Sequence, residues 1–162
     1  MSLAEVKVVN IFLDQDSGAP IVLLQDMETK DILPILIAPL EASMIAIELE
    51  GKKPVRPLTH DLLVNILRDL SYDVKSICIH DLKDNIYYAN ISLSAQNESL
   101  DIDSRPSDAI AIALRTGAPI YVKRKVFALA MGLEKAAHRS DEETLKEVLE
   151  DIEIDDAGGK IM

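Results

Sequence analysis

The chain lacks several features that mark particular classes of protein. Cys78 is its only cysteine, so no internal disulfide can form, and a reducing cytoplasm is the expected location. No apolar run approaches the ~20 residues that a membrane-spanning helix needs. Residues 1–5 lack the basic and apolar segments of a signal peptide, so none is expected. These absences favour a cytoplasmic globular protein that does not enter a membrane.

An excess of positive charge is also missing. The formal net charge is −11, and residues 140–156 contain nine acidic residues and one basic residue. Residues 140–156 therefore carry a net charge of −8 and Lys160 adds +1, which leaves a net charge of only −4 for the first 139 residues. The tail is therefore a separate electrostatic unit, and neither part has the basic field of a tight, non-specific nucleic-acid binder.

The sequence motifs of several enzyme classes are absent. There is no phosphate-binding loop, no Cys/His zinc spacing, no Gly-x-Ser-x-Gly elbow and no dinucleotide fingerprint. The chain also has no internal repeat and no low-complexity segment. Its 162 residues, with 48% hydrophobic and 28% charged residues, are typical of a single globular domain with a real core.

Apolar periodicity predicts an α+β fold. Strands are expected over residues 4–13, 20–25, 31–37, 74–82 and 86–94, then a strand and a helix within 99–117, and a strand over 119–123. Helices are expected over 40–50, 60–70, 125–137 and 140–152. Strands in runs interrupted by helices predict a mixed, largely antiparallel sheet with helices packed against it.

Local signals refine these elements. Pro34 within its strand predicts an edge or a bulge, because proline cannot donate to a sheet ladder. Thr59 is expected to cap the helix over 60–70. The capping box at 140–143 predicts the start of a separate helix. We therefore expect a core domain over 1–125, a helical extension over 126–139, and an acidic helix with a frayed tail over 140–162.

The first candidate site lies at a strand-to-helix junction. Asp101 and Asp103 alternate with apolar residues, so both should leave one face of a short strand. Arg105 and Asp108 follow around the start of an apolar helix. The group has two interpretations: a site for a hard divalent cation, which prefers carboxylate oxygens, or the solvent face of a sheet beside a capped helix.

The second candidate site is the start of the helix over 60–70. His60 suits proton transfer near neutral pH, and Arg56 is placed to meet an anion. Asp61 complements the helix dipole, so ordinary capping explains this acid without a functional role. Glu41 opens the preceding helix, where an acid is favourable in any case.

These motifs together resemble the bifunctional nuclease family, small α+β proteins described as degrading both RNA and DNA. The similarity runs in order over about residues 4–125 and is specific at family level. The positions that carry it are Leu33-Pro34-Ile35, Glu41-Ala42, Arg56-Pro57-Leu58-Thr59-His60-Asp61-Leu62-Leu63, His80-Asp81-Leu82-Lys83-Asp84, Tyr87-Tyr88-Ala89, Asp101-Ile102-Asp103-Ser104-Arg105-Pro106-Ser107-Asp108-Ala109-Ile110-Ala111 and Thr116-Gly117-Ala118-Pro119-Ile120.

Two departures from the family pattern are visible. Ile37-Ala38-Pro39 stands where members often have Ile-Gly, which affects the turn into the helix that carries Glu41. Some members also append a small helical module. In its place this chain has only the acidic helix at 140–152, so that module's role does not carry over.

The resemblance implies a nuclease that hydrolyses phosphodiester bonds of RNA or DNA with the help of Mg²⁺ or Mn²⁺. We nominate residues that lie in the matching motifs and are chemically competent. The catalytic candidates are Glu41, Arg56, His60 and Arg105, and the metal-ligand candidates are Asp61, Asp101, Asp103 and Asp108. The alternative is a non-enzymatic, dimeric binding or regulatory module in which the same motif is structural.

Self-association is also expected. The strand with Pro34, the loosely alternating first strand and the apolar tail stripe leave more apolar surface than one small sheet covers. A two-fold dimer is the commonest way to bury such surface. The sequence therefore predicts a homodimer.

Overall fold

The computed structural model describes residues 3–158, with side chains except at positions 133–134, 136–138, 141 and 150–158. The described range contains seven strands and four helices. In chain order they are β1 (Leu3–Leu13), β2 (Pro20–Asp26), β3 (Ile32–Leu36), α1 (Pro39–Leu49), α2 (Thr59–Asp69), β4 (Asp73–Lys83), β5 (Ile86–Ala95), β6 (Glu98–Ser104), α3 (Pro106–Thr116), β7 (Ile120–Lys123) and α4 (Arg124–Gly158).

The strands form one mixed sheet in the order β3-β2-β1-β7-β4-β5-β6. β4 and β7 pair in parallel, and the other neighbouring strands pair antiparallel. The predicted α+β fold with a largely antiparallel sheet is confirmed. The prediction for Pro34 is also confirmed, since β3 is an edge strand of the sheet.

Helix α3 lies at the centre of the core. It contacts α1 and α2 as well as β4 and β5. Residues 109–113 alternate alanine and isoleucine and are at most 3% exposed, which explains why this helix is apolar on every side. Pro106 occupies its first turn, where a missing N–H is harmless. Gly117 ends it at φ 72°, a left-handed conformation that glycine adopts without strain.

The prediction that Thr59 caps α2 is wrong. Thr59 is the first residue of the helix, and the preceding residue, Leu58, holds the capping position. The Leu58 N–H donates to Asp61 Oδ2 over 2.9 Å, so an acid inside the first turn reaches back to satisfy this group. The start of α1 is built in the same way, with the Ala38 N–H donating to Glu41 Oε2 over 2.9 Å.

The predicted helix start at residue 140 is also wrong. Helix α4 runs without a break through this region and continues to Gly158. Residues 133–139 contain no proline or glycine, so nothing there ends the helix and the capping signal is not used. The Thr144 hydroxyl donates to the Ser140 carbonyl within the helix. Of the predicted frayed tail, residues 155–158 are helical and 159–162 lie outside the described residues.

Two compact units make up the chain, one ending at Phe127 and the other beginning at Ala128. The first contains the whole sheet, helices α1 to α3 and the start of α4. The described part of the second, residues 128–158, is the rest of α4. The predicted divisions at 125/126 and 139/140 stay predictions.

No helix within the described residues is long and apolar enough to cross a membrane.

Candidate active site

The N-terminal turns of α1, α2 and α3 meet and bring four charged or titratable side chains together. We call this group the Arg105 network; its members are Glu41, His60, Arg105 and Asp108. His60 Nε2 lies 2.9 Å from Asp108 Oδ1, and Arg105 Nε donates to Asp108 Oδ2 over 3.0 Å. The Arg105 Nη1 group pairs with Glu41 Oε1. Two of the nominated carboxylates are therefore held by one arginine.

The electrostatics of the network keep Asp108 ionised. Burial alone would raise the pKa of Asp108, but hydrogen bonds from His60 and Arg105 outweigh it and lower that pKa below its usual value. The same hydrogen bond to Asp108, with the charge of Glu41, raises the pKa of Arg105. The position of Asp108 in the first turn of α3 also favours its negative charge. At neutral pH the site holds an anionic carboxylate beside a permanently cationic guanidinium.

His60 is the most enclosed member of the network, with 10% of its side chain exposed. Its Nε2 atom faces the carboxylate of Asp108, and its Nδ1 atom is buried without a hydrogen-bond partner among the described residues. Neither ring nitrogen is therefore free to meet a ligand directly. The geometry makes His60 a residue that holds Asp108 in place.

The four members of the network contribute to the lining of a groove of about 700 Å³. Its other walls are mostly apolar and come from α1, α2, α3, β5 and β6; they include Met44, Leu63, Leu67, Ile91, Ile102 and Ile112. A groove of this size with mostly apolar walls, beside residues of perturbed pKa, has the usual character of a ligand site. Arg105, 68% exposed in its side chain, is the most exposed charged group of the network.

Asp101 and Asp103 leave the same face of β6, as predicted, but their surroundings differ. Asp103 lies opposite Asn90 of β5 and lines the groove. Asp101 lies opposite Ser92 and accepts a hydrogen bond of 2.6 Å from its hydroxyl. Of the two, only Asp103 adjoins the groove, although its side chain leaves the face of β6 opposite to that of Ile102.

Asp61 lies apart from the groove although it follows His60 in sequence. Its Oδ1 atom accepts from Arg115 Nε over 2.8 Å, and Glu48 lies 3.7 Å from the same nitrogen. Arg115 is only 4% exposed and also donates to the carbonyls of Met44 and Ala111. We call Arg115, Asp61 and Glu48 the Arg115 network. Burial opposes ionisation of Asp61, yet hydrogen bonds from Leu58 and Arg115 lower its pKa.

Arg56 is exposed in the segment before α2 and makes no hydrogen bond or ion pair with another described residue. It does not line the groove. Its side chain is free to meet an anion, but the structure does not bring it into the Arg105 network.

The four aspartates nominated as metal ligands are not gathered at one point. Among the described side chains, no group of three or more His, Cys, Asp or Glu residues is arranged to hold a metal ion. Asp61 and Asp101 are engaged elsewhere, and both oxygens of Asp108 have partners. The donor set therefore does not fit a preformed three-carboxylate site.

Sequence reasoning missed Arg115 and the groove. Arg115 was a lone cation at the end of an apolar helix, and that isolation was a signal that it needed buried partners. Leu63 and Leu67 follow the helical spacing of the apolar face of α2, and both line the groove. Leu62 and Leu63 in succession make its apolar face wider than one packing contact needs, which was the available sign of a groove.

Comparisons with known proteins show which family this chain resembles. A model of the bifunctional nuclease domain matches residues 22–134, a stretch that includes all eight nominated residues. An uncharacterized protein of Mycobacterium tuberculosis strain H37Rv is 40% identical over 149 residues, which are 92% of this chain and 88% of that protein.

Plant proteins are similar over a shorter region. Bifunctional nuclease 1 of Oryza sativa subsp. japonica is 28% identical over 98 residues, 59% of this chain and 30% of that protein. Bifunctional nuclease 2 of Arabidopsis thaliana is 27% identical over 107 residues, 64% of this chain and 32% of that protein. The chain thus spans about a third of the length of these plant relatives.

Proposed function

We propose that this chain, which belongs to the bifunctional nuclease domain family, hydrolyses phosphodiester bonds of RNA or DNA at the Arg105 end of the groove. The observation that carries the proposal is the Arg105 network. It presents an exposed guanidinium, already oriented by two carboxylates, in the lining of a groove large enough for a ligand. Family membership supports the reaction class, and this geometry supports the location.

Arg105 is the group proposed to bind the phosphate. Its Nε and Nη1 atoms are held by Asp108 and Glu41, so the side chain has a defined direction, and its remaining donors are free at the surface. A guanidinium matches two phosphate oxygens at once. It would stabilise the charge that develops as water attacks phosphorus, which is the largest electrostatic contribution in such sites.

Proton handling is assigned to the carboxylates. Asp108 is ionised at neutral pH and can accept a hydrogen bond from the attacking water, which orients that water. Glu41 lines the groove and is the proposed acceptor of the water's proton as the new P–O bond forms. The P–O bond to the leaving sugar oxygen then breaks, and solvent supplies the proton for that oxygen. Since both nitrogens of His60 are unavailable, its proposed role is to position Asp108 rather than to contact substrate.

Assistance by Mg²⁺ or Mn²⁺ stays a prediction. Mg²⁺ is often bound through only one or two carboxylates, with the remaining ligands being waters and substrate phosphate oxygens. Among the four nominated aspartates, Asp103 is the one whose carboxylate has no partner among the described residues, and the described side chains do not form a complete site. Loss of hydrolysis in EDTA, recovered by added Mg²⁺ or Mn²⁺, would support the prediction, and unchanged hydrolysis would refute it.

The experiment is a hydrolysis assay on fluorescent RNA and DNA oligonucleotides with matched arginine variants. Arg105→Gln should lower kcat by about 10²–10³-fold, the usual loss when one donor to the transition state is removed. Arg56→Gln is the control, because it deletes an equally exposed arginine outside the network. Equal trace activity in both variants and the parent protein would indicate a contaminating nuclease and contradict the proposal.

One alternative function has a specific observation in its favour. The carboxylates of Asp108 and Glu41 already have hydrogen-bond or ion-pair partners within the protein. The same contacts would be found if these residues only held the three helix ends together. In that case the chain is a non-enzymatic dimeric binding or regulatory module. The same assay decides between the two, since such a module would show no hydrolysis that depends on Arg105.

We further propose a cytoplasmic homodimer. Exposed apolar side chains on the β1–β3 part of the sheet, such as Leu13 at 68% and Leu36 at 64%, favour burial against a second subunit. Light scattering at micromolar concentration tests the state of assembly. A mass near 17.9 kDa that does not change on concentration would contradict the dimer.

A further inference from the structure

We infer that the groove binds a nucleobase, and that the nucleic acid taken at this site is therefore single-stranded. This inference rests on the proposed function for the phosphate at Arg105. It goes further by naming the occupant of the groove and the strandedness of the substrate.

The first support is the shape and polarity of the groove. Its volume of about 700 Å³ lies within the range of small-molecule pockets and exceeds what one nucleotide needs. Leu63 and Ile102 form part of its walls and remain 41% and 44% exposed, which leaves apolar surface open to a ligand. Apolar walls suit the flat face of a base, whereas a sugar–phosphate chain would gain nothing from them.

The second support is the position of the cation. Arg105 lines the same groove, and its side chain is 68% exposed. Its partners Glu41 and Asp108 hold Nη1 and Nε, which leaves the other guanidinium nitrogen to a phosphate. A phosphate bound there has its adjoining base beside the apolar walls of the groove.

These two supports favour one arrangement: the phosphate on Arg105, and the adjoining base against the apolar side chains of the groove. Asp103 adjoins the groove but takes no part in this arrangement, because strand residues alternate and its side chain leaves the face of β6 opposite to that of Ile102.

Strandedness follows from this arrangement. In a duplex the base faces are stacked and the base edges are paired, so placing a base in the groove requires unpairing and unstacking it first. A single strand can present an unpaired base at a much smaller free-energy cost. Duplex RNA and duplex DNA should therefore bind more weakly than the matching single strands.

The test measures binding separately from cleavage. Fluorescence anisotropy at low salt would follow short labelled oligonucleotides with phosphorothioate linkages, which resist hydrolysis. The probes are single-stranded DNA, single-stranded RNA, the corresponding duplexes, and a single strand with one abasic position. We expect duplexes to bind on the order of tenfold more weakly than single strands. Comparing single-stranded DNA with single-stranded RNA shows whether the 2′-hydroxyl of the sugar affects affinity.

A matched pair of variants localises the binding. Leu63→Asp and Leu62→Asp introduce the same charge at adjacent positions of α2, at side chains that are 41% and 52% exposed, but only Leu63 lines the groove. Leu63→Asp should weaken single-strand binding about tenfold. Leu62→Asp should stay within about twofold of the parent, because it adds a charge without changing the groove. General repulsion between the added charge and the phosphates is the same in the two variants, so a larger loss in Leu63→Asp reports on the groove.

Each outcome decides the inference. Equal binding of duplex and single strand, no binding of any oligonucleotide, or equal loss in both variants would overturn it. If Leu63→Asp changes the mass in light scattering and leaves binding intact, the groove is covered by a second copy and the inference is wrong. Hydrolysis without a preference for single strands would support the proposed function and contradict the inference. Binding of single strands without any hydrolysis would support the inference and contradict the proposed function.

Discussion

Two arginine networks are built from consecutive residues of helix α2, and they serve different purposes. His60 faces the Arg105 network and Asp61 faces the Arg115 network. Both arginines interact with two carboxylates, yet the side chain of Arg105 is 68% exposed and that of Arg115 is 4% exposed.

The difference shows that chemistry alone does not identify a site. Arg115 donates from Nε to Asp61 and from Nη1 to two backbone carbonyls, so it joins α1, α2 and α3. Its Nη2 atom is buried without a partner among the described residues, so Arg115 presents no exposed donor to a ligand. Arg105 is held on one side only and keeps free donors towards solvent. Burial therefore separates a structural ion pair from a candidate binding group made of the same residue types.

The largest expected effect separates the two networks by stability. Arg115→Met leaves Asp61 as an uncompensated, mostly buried carboxylate, which should lower the free energy of unfolding by about 3 kcal/mol or more. Arg105→Met removes a largely exposed arginine. The carboxylates that it leaves keep hydrogen bonds to the Ala38 N–H and to His60, so the change should cost about 1 kcal/mol or less. Urea unfolding of both variants measures this difference.

A double variant controls for lost packing. Adding Asp61→Leu to Arg115→Met should recover part of the stability, because the unpaired carboxylate is removed. If Arg105→Met proves as destabilising as Arg115→Met, exposure does not distinguish the networks and the comparison fails.

The next prediction compares Asp101 and Asp103, the two nominated aspartates of β6. Asp103→Asn should abolish hydrolysis that depends on a divalent cation and should change the unfolding temperature by only a few degrees, because Asp103 lines the groove at the surface. Asp101→Asn, two residues earlier on the same face, should retain activity. Hydrolysis rates and thermal unfolding check both statements. Unfolding or aggregation of Asp103→Asn would instead mark this residue as structural.

An acid titration should sharpen the role of the Arg115 network. The pKa of Asp61 is lowered in the folded state. The ionised carboxylate therefore contributes its full stabilisation at any pH above about 4, the pKa of an aspartate in the unfolded chain. It is lost as pH falls through the lowered folded value. The stability difference between the parent and Asp61→Asn should therefore be constant near neutral pH and shrink below about pH 4. A difference that stays constant down to pH 2.5 in urea unfolding would show that the charge of Asp61 contributes nothing.

The smallest expected effect concerns the acidic tail. Residues 140–162 carry −7 of the net −11 charge, so their deletion should raise oligonucleotide affinity a few-fold at low salt and much less at high salt. Anisotropy at two salt concentrations measures this. A truncated protein that binds no better, or that is insoluble, would rule out a shielding role for the tail.

Much of the fold was predictable because local patterns and tertiary packing agree. Alternation in β5 and uniform apolarity in α3 correspond directly to the burial of these elements. The errors lie where a local signal was overridden. The capping box that begins at residue 140 lies inside a continuous helix. At the start of α2, Leu58 rather than Thr59 holds the capping position, and the Asp61 side chain accepts a hydrogen bond from its N–H.

The sequence by itself determined the class of fold, the family and the residue types from which a site must be built. These follow from periodicity and from motifs that are contiguous in the chain. Only the tertiary structure decided that His60 and Asp61 serve different networks, and that Asp103 meets the groove while Asp101 bonds to Ser92. The reason is physical: the partners are up to 71 residues apart in sequence, as Met44 and Arg115 are, so helix packing alone sets their distance and burial.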